Sequence, residues 1–538
     1  MTRSPDGGAG IGPTGARVVA LVARALSGKA APFLFGVATA LQMYFVCGSI
    51  HPVARSHDEA AYLLQAEIFA SGRWAAPSPP LPEFFEQYHV LVTPVLAAKY
   101  PPGNSLLLAP GVALGAPALT PILCMGIAGG FLFLLARRFS NVWVASWAWL
   151  LWTSAPATLH YLCGYLSENV TVALWLVGWW GLANWREKGG TGWLSVFATA
   201  VAWGALTRPL TALAYAATGG VFVLLELARR RRPWRDLALA CVPALAILSL
   251  LPIWSRNTTG SGEDPYRAWA RSYLPVDRPG FGITTSAAPE RELPRDMQVS
   301  LAVYTDIHAR HRPEALVSIA LARAAQIGRD FWGGWRAPLV ALFLIGLFVV
   351  PREGRFAVAT ALLLFVSHLV YAHDPAWSIY YVEAQPALAW VTAAGGVAAL
   401  TALARRRRDD APSGAVVGTG PALASLALAV VALAPVTAAV AAARIRVDEW
   451  SVYHDHFRAE LAVIPEPRAI VFVRYGPHHV VDMSLVRNSP DPTRAPVWIV
   501  YDRGQDNARL LRAAPGRAPY LYDAVTGTLA PWSAEVVP

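Results

Sequence analysis

Residues 49–74 read SIHPVARSHDEAAYLLQAEIFASGRW, and they set two adjacent carboxylates, Asp58 and Glu59, directly after an apolar run of about twenty residues. A carboxylate at the mouth of a membrane span is costly unless it is solvated or used. Ser56-His57-Asp58-Glu59 fits the S-x-x-E capping box, with Ser56 as the N-cap and Glu59 reaching back to the amide of Ser56. That gives Glu59 a structural task and leaves Asp58 either complementing the helix dipole or put to some use at the membrane exit. Tyr62 and Gln65 continue the Asp58 stripe, Ala61, Leu64 and Ile68 form an apolar one, and Gly72 supplies the stop. The expectation is an interfacial helix lying under the outer leaflet.

Cations that could neutralise an anion on the same side are Lys99, Arg208 and Arg256. Each has a plainer reading: Lys99 and Arg256 as snorkelling surface groups, Arg208 as a hairpin tip reaching the headgroups. A second acid, Glu168, opens a later apolar segment on that side. Were Asp58 and Glu168 to converge with no cation nearby, one of them would be held protonated. Tyr380 and Tyr381 suit either a site or an interfacial aromatic belt. His89, His373, His478 and His479 lack zinc-type spacing and read as solvated or packing residues.

These residues are strung along a chain that is 55% hydrophobic and only 15% charged over 538 residues, with a mean hydropathy of +0.38. Soluble domains carry nearer a quarter charged residues, so the composition is that of a multi-spanning membrane protein. The formal net charge of +10 does not indicate nucleic acid, because the arginines bunch between apolar segments. Lys29, Lys99 and Lys188 are the only lysines; with abundant Ala, Gly and Arg they suggest a bacterial genome of high GC content. Cys47, Cys124, Cys163 and Cys241 form neither a disulfide framework nor a CxxC metal site. No cleavable signal peptide is expected in the first thirty residues, which precede an apolar run of full spanning length.

Apolar runs predict about eleven spans, near 31–50, 119–136, 142–162, 169–185, 236–254, 337–350, 356–372, 383–403 and 421–443, with two more in 193–228 hinged at TRPL. Arg3, Arg17, Arg24 and Lys29 place residues 1–30 in the cytoplasm as a disordered segment. Arg137-Arg138, Arg186/Lys188, Arg229 to Arg232, Arg352/Arg355 and Arg405 to Arg408 then mark cytoplasmic ends in alternation, provided that 101–115 lies along the membrane. Residues 405–420 read as a cytoplasmic linker. Loops 51–118 and 255–336 and the tail 444–538 face outward, so the membrane domain is 31–443. In the tail, AIVFVRY, PVWIVYD and APYLYD are strand-like and DNARLLRAA helix-like, which predicts a small α/β domain.

In chain order, SHDEAAYLLQAEIFASGRW, EFFEQYHV and KYPPGNSLLLAPG resemble the first outer loop of the GT-C glycosyltransferases. The branch most similar contains the bacterial aminoarabinose and protein mannosyl transferases. YLSENVTVALW, LTRPL, RNTTGSGEDPY and YYVEAQPAL are similar to later landmarks, so the resemblance covers roughly residues 31–400. An arginine often precedes the paired tyrosines in such proteins, whereas Ser378-Ile379 stand here.

The resemblance implies a mainly α, polytopic helix bundle in the cytoplasmic membrane. It also implies transfer of a sugar from a polyprenyl phosphate to a lipid, glycan or protein acceptor on the outer face, with Asp58 catalytic. Such a donor already has a good leaving group, so the enzyme must mainly supply a base, and direct attack would invert the anomeric carbon. Lys99, before the YPPG turn, would lie near the lipid phosphate, with Arg208 and Arg256 as further candidates. Glu168 would join Asp58 in holding the acceptor or a divalent metal, although no dense ligand cluster is visible. Two other classes stay open: a lipid-linked glycan polymerase or ligase, and a non-catalytic scaffold. An ion-coupled transporter is disfavoured, because mid-span residues are almost uniformly apolar and Glu226 lies near a cytoplasmic end.

Overall fold

The computed structural model describes residues 13–230, 234–284, 288–409, 420–477, 479 and 481–533. Helix α1 (Pro13–Ser27) turns by 85° into α2 (Ala31–Cys47), so the two lie across one another at the start of the bundle. This corrects the expectation of disorder through residue 30. Residues 1–12 lie outside the described residues, but 13–27 alternate apolar positions with Arg17 and Arg24 and form a helix. Its C-terminal carbonyls, on Leu26 and Gly28, accept from Arg137 at 2.9 and 2.8 Å.

The first loop carries α3 (His57–Ala70), strands β1 (Ala76–Pro77), β2 (Val90–Leu91) and β3 (Val95–Ala98), and α4 (Gly103–Ala113). The strands pair antiparallel in the order β1-β3-β2. At 11 residues α4 is too short to cross a bilayer, which bears on the parity of the spans. Next come α5 (Leu119–Phe139), α6 (Val142–Thr153), α7 (Pro156–Tyr161), α8 (Glu168–Lys188), α9 (Thr191–Thr207) and α10 (Pro209–Arg230). They are followed by α11 (Trp234–Leu248) and α12 (Leu250–Thr259). Where one span was expected over 142–162, Pro156 ends α6 and starts the six-residue α7. The second loop supplies α13 (Pro265–Tyr273), α14 (Arg295–Arg310) and α15 (Leu316–Trp332). The bundle closes with α16 (Leu339–Val349), α17 (Arg352–Ser367), α18 (Gln385–Asp409) and α19 (Gly420–Ala462).

Among the described residues five helices are long and apolar enough to cross a membrane, and the bent α1–α2 pair makes up to six. Helices α6, α9 and α16 are apolar but shorter. The chain is thus a multi-pass membrane protein, with five or six helices of full spanning length among the described residues. Interfaces between spans use small residues: a Cβ on Gly36 of α2 would lie 2.8 Å from the carbonyl of Gly126 on α5.

The tail begins inside α19, which continues without a break from Gly420 to Ala462. Strands β4 (Ala469–Arg474), β5 (Val497–Tyr501), β6 (Ala518–Asp523) and β7 (Thr528–Pro531) form one sheet in the order β5-β4-β6-β7, with α20 (Asn507–Ala513) before β6. β4 is parallel to both β5 and β6, and β7 is antiparallel to β6. The fully buried run Ala469–Val473 is what a central parallel strand requires. Phe84 and Phe85 of the first loop pack into the same core as Ile470, Phe472 and Trp498. The tail therefore sits on the loop that carries the carboxylate pair.

Candidate active site

Helix α3 starts as the capping signal predicts. Ser56 is extended at φ −138°, and its Oγ accepts from the Glu59 amide at 3.3 Å. The Glu59 carboxylate does not return to Ser56, however. It accepts from the Arg55 amide at 2.7 Å and pairs with the Arg55 guanidinium at 3.3 Å. Burial pushes the Glu59 carboxyl up, and Arg55 pulls it back. Nor does α3 present a wet face: Tyr62 and Gln65 are as buried as Ala61, Leu64 and Ile68. Gln65 donates to Trp74 O at 2.9 Å and accepts from the Ala98 amide at 2.9 Å, so its polar stripe is spent on the β-sheet.

Asp58, on the first turn of α3, opens onto a cavity of about 1760 Å³ at the loop end of the bundle. Its side chain is 41% exposed. One oxygen, Oδ1, accepts from the hydroxyl of Tyr100, and the Nε2 of His89 is 3.9 Å away. His89 is buried among Tyr88, Tyr100 and Trp269, and burial keeps it neutral by pulling its pKa well down. His57 stacks on Tyr88 at 4.6 Å, and burial lowers its pKa to about 3. Its 3.7 Å approach to Asp482 is therefore not an ion pair at neutral pH.

Lys99 faces the same cavity from the end of β3 and is 2% exposed. Its Nζ is 3.4 Å from Asp277 Oδ2 and 3.7 Å from the Trp269 ring centroid, with the Tyr266 ring at 4.3 Å. Burial lowers the Lys99 pKa, and Asp277 opposes that. Asp277 is itself held by the hydroxyls of Tyr266 and Tyr371, each at 2.6 Å. The ammonium is thus caged rather than snorkelling.

Arg208 occupies the break between α9 and α10, where Pro209 cannot continue the first helix. Its Nη1 donates to Glu168, and its Nε is 3.1 Å from Glu383. Glu383 also accepts from Thr171 Oγ1 at 2.6 Å. A cation therefore stands beside Glu168, so the condition of two carboxylates without a cation is not met here. Both carboxylates line the cavity, but Arg208 sits against Glu168. Among the described residues no three His, Cys, Asp or Glu side chains gather to hold a metal ion. Glu168 and Glu383 both hold the Arg208 guanidinium.

Of the other expected residues, Tyr62 and Tyr380 line the cavity. Tyr62 stacks on Tyr100 at 4.6 Å and hydrogen-bonds Ser167 at 3.2 Å. Tyr381 points elsewhere, to His373 Nε2 at 2.9 Å, so it belongs to neither the cavity nor an exposed belt. Arg256 is exposed on α12, outside the cavity. His479 stacks on Tyr475 at 3.8 Å, and His478 lies outside the described residues.

No family model matches the chain, and no curated protein does. Among solved structures it is similar to ArnT from Cupriavidus metallidurans bound to undecaprenyl phosphate, over 92% of this chain and 93% of that one, at 16% identity and a TM-score of 0.50. The fold is the GT-C fold. The apo state of the same protein aligns over 91% and 92% of the two chains, at 15% identity and a TM-score of 0.48. The apo Archaeoglobus fulgidus oligosaccharyltransferase matches 77% of this chain and 56% of its own, at 12% identity and a TM-score of 0.44.

Within this GT-C fold, three groups were not singled out from sequence: Tyr100 and Asp277, which line the cavity, and Glu383, which pairs with the cavity residue Arg208. Tyr100 and Glu383 stand inside the quoted stretches KYPPG and YYVEAQ, one and two residues from groups that were chosen. Asp277, in LPVDRPG, has no local signal, because its partner Lys99 is 178 residues away.

Proposed function

We propose that the chain is a membrane glycosyltransferase that moves a sugar from a polyprenyl-phosphate donor to a lipid, glycan or protein acceptor at the outer face of a bacterial cytoplasmic membrane. The observation that carries this reading is the placement of Asp58 and Lys99 around one residue. Tyr100 hydrogen-bonds the carboxylate, and its ring is 5.2 Å from the ammonium. A carboxylate and an ammonium thus share one cavity, as a base and a phosphate-binding cation would have to. The GT-C fold, in which the similar ArnT structure binds undecaprenyl phosphate, supports the donor class.

In the proposed reaction Asp58 takes the proton from an acceptor hydroxyl or amine as its heteroatom attacks the anomeric carbon. The bond from that carbon to the phosphate oxygen breaks, and its electron pair leaves with the phosphate. The new bond forms on the opposite face, with inversion. Lys99 neutralises the departing phosphate, where the low dielectric of the cavity strengthens the attraction. Arg208 fixes Glu168 and Glu383, leaving Glu168 to accept a hydrogen bond from the acceptor. Arg256 drops out of the donor site by position. The tail, packed on the first loop, would help to hold the acceptor.

The outward orientation draws support from the opposite end of the bundle. Arg137, Arg138, Arg186 and Lys188 close α5 and α8 there, away from the cavity. The experiment is sugar transfer in membranes containing the protein, supplied with a panel of radiolabelled polyprenyl-phosphate sugars. Transfer from one donor class above control membranes is expected. No transfer from any donor would overturn the assignment.

A further inference from the structure

Two of the four cysteines meet at the loop end of the bundle. Cys47 ends α2, ten residues before α3 begins at His57, and Cys163 lies between α7 and Glu168. Their sulfur atoms are 2.8 Å apart, and the two side chains are 3% and 1% exposed. Unbonded heavy atoms are most comfortable at roughly 3.5–4.0 Å, and bonded sulfurs lie at about 2.05 Å. The observed approach is far closer than packing alone requires. All four cysteines are free in this structure, and Cys124 and Cys241 lie apart from the pair, inside α5 and α11.

The same two segments are tied a second time. The Arg55 guanidinium pairs with Glu59 and donates to the carbonyl of His160 at 3.3 Å. Gly164 has φ +125°, and a Cβ there would collide with the Glu59 carboxylate. The stretch before Asp58 and the stretch before Glu168 are thus fitted to each other at close range, with the cysteine pair beneath.

We propose that Cys47 and Cys163 are joined by a disulfide in the mature protein, which locks the segment bearing Asp58 to the segment bearing Glu168. This rests on the outward orientation proposed above, because disulfides persist in an oxidising compartment. The oxidant is the disulfide of a thiol–disulfide oxidoreductase on that side. One thiolate attacks it, breaking its S–S bond and forming a mixed disulfide; the second thiolate attacks the protein sulfur of that mixed disulfide and expels the oxidant, which leaves as a dithiol carrying the two protons and two electrons. Since both thiols are buried once the bundle has closed, the exchange takes place during assembly. The finished bond then resists reductants that cannot enter.

The test uses the full-length protein in its native cells. Cells are quenched in acid, and free thiols are blocked with N-ethylmaleimide in denaturant. The protein is then reduced and its newly exposed thiols labelled with a second reagent. Mass spectrometry is expected to find the first label on Cys124 and Cys241 and the second on Cys47 and Cys163, with a linked peptide in the unreduced digest. All four cysteines carrying the first label would overturn the proposal.

A Ser261→Cys reporter, in the exposed turn before α13, separates that failure from failure of the orientation. If a membrane-impermeant maleimide reaches it from outside while the pair is free, only the disulfide is refuted. If it is protected while the pair is free, the outward reading falls as well. For the locking role, a small reductant present during heating, which reaches the bond as the bundle opens, should lower the temperature at which transfer activity is lost in the wild type. The same treatment should leave the Cys47→Ser/Cys163→Ser variant unchanged. An equal effect of reductant on both would refute the lock.

Discussion

The hydroxyl of Tyr100 is hydrogen-bonded to Oδ1 of Asp58. One carboxylate oxygen is thereby fixed, and the other stays free on the cavity side. Removing the hydroxyl in Tyr100→Phe leaves the ring stacked on Tyr62 but lets the carboxylate rotate. A hydrogen bond to a charged group contributes about 1.5–3 kcal/mol, so turnover should fall by roughly tenfold or more while donor KM changes little. Steady-state kinetics with the active donor checks this; a rise in KM at unchanged kcat would place Tyr100 in donor binding instead.

Lys99 and Asp277 are both buried, so removing the lysine alone strands a carboxylate. The informative variant is Lys99→Met combined with Asp277→Asn, which removes the charge pair while Trp269 and the two tyrosines stay in place. Loss of a charge-assisted contact to phosphate should raise donor KM by roughly 10- to 150-fold. Thermal unfolding in detergent should stay near the wild-type midpoint, because replacing both partners of a buried pair costs far less than removing one. A wild-type KM in a folded double variant would remove Lys99 from donor binding.

Arg208 contacts both Glu168 and Glu383, one positive charge facing two carboxyl groups. Arg208→Ala should destabilise the protein by about 3–5 kcal/mol, since it leaves uncompensated buried charge. Adding Glu383→Gln should restore part of that loss in the same unfolding assay. No recovery would mean that the two side chains are not coupled.

His57 supplies one part of the pH dependence, beside His89, His454 and His479, whose burial also lowers their pKa values. Burial, then the positive charge of Arg487 and the nearby His479, lowers the His57 pKa from 6.5 to about 3. The unfolded chain therefore binds a proton between those values that the folded protein refuses. Stability is full above pH ~6.5 and falls on acidification, by about 2 kcal/mol between pH 6.5 and 5. His57→Asn should flatten that part of the profile, as read from unfolding midpoints across pH. An unchanged slope would assign the acid sensitivity to another group.

How much could be read from the residues differed by kind. Spans and tail strands were legible because their signals are local: α5 is a continuous apolar run, and Ala469–Arg474 is a buried strand. Capping at Ser56 was legible for the same reason, although the partner of Glu59 was not, since Arg55 lies upstream of the motif. The burial of α3 was hidden because its polar stripe resembles a wet face. Only the fold shows that Gln65 bonds to β3 and that Tyr62 stacks on Tyr100. The site's ion pairs were hidden for a stronger reason: Lys99–Asp277 and Arg208–Glu383 join residues on different elements, and no spacing rule reaches that far. Arg256 and Tyr381 illustrate the converse, sharing landmark stretches with site residues but pointing away from the cavity.

The central claim is that Asp58 is the base. The most direct measurement is sugar transfer by Asp58→Asn at saturating donor, alongside binding of the radiolabelled donor to the same preparation. The amide keeps the size of the side chain and can still hydrogen-bond Tyr100, but it cannot take a proton. Turnover is expected to fall by about 10²- to 10⁴-fold with donor binding retained. Turnover equal to wild type would contradict the assignment and remove Asp58 from catalysis.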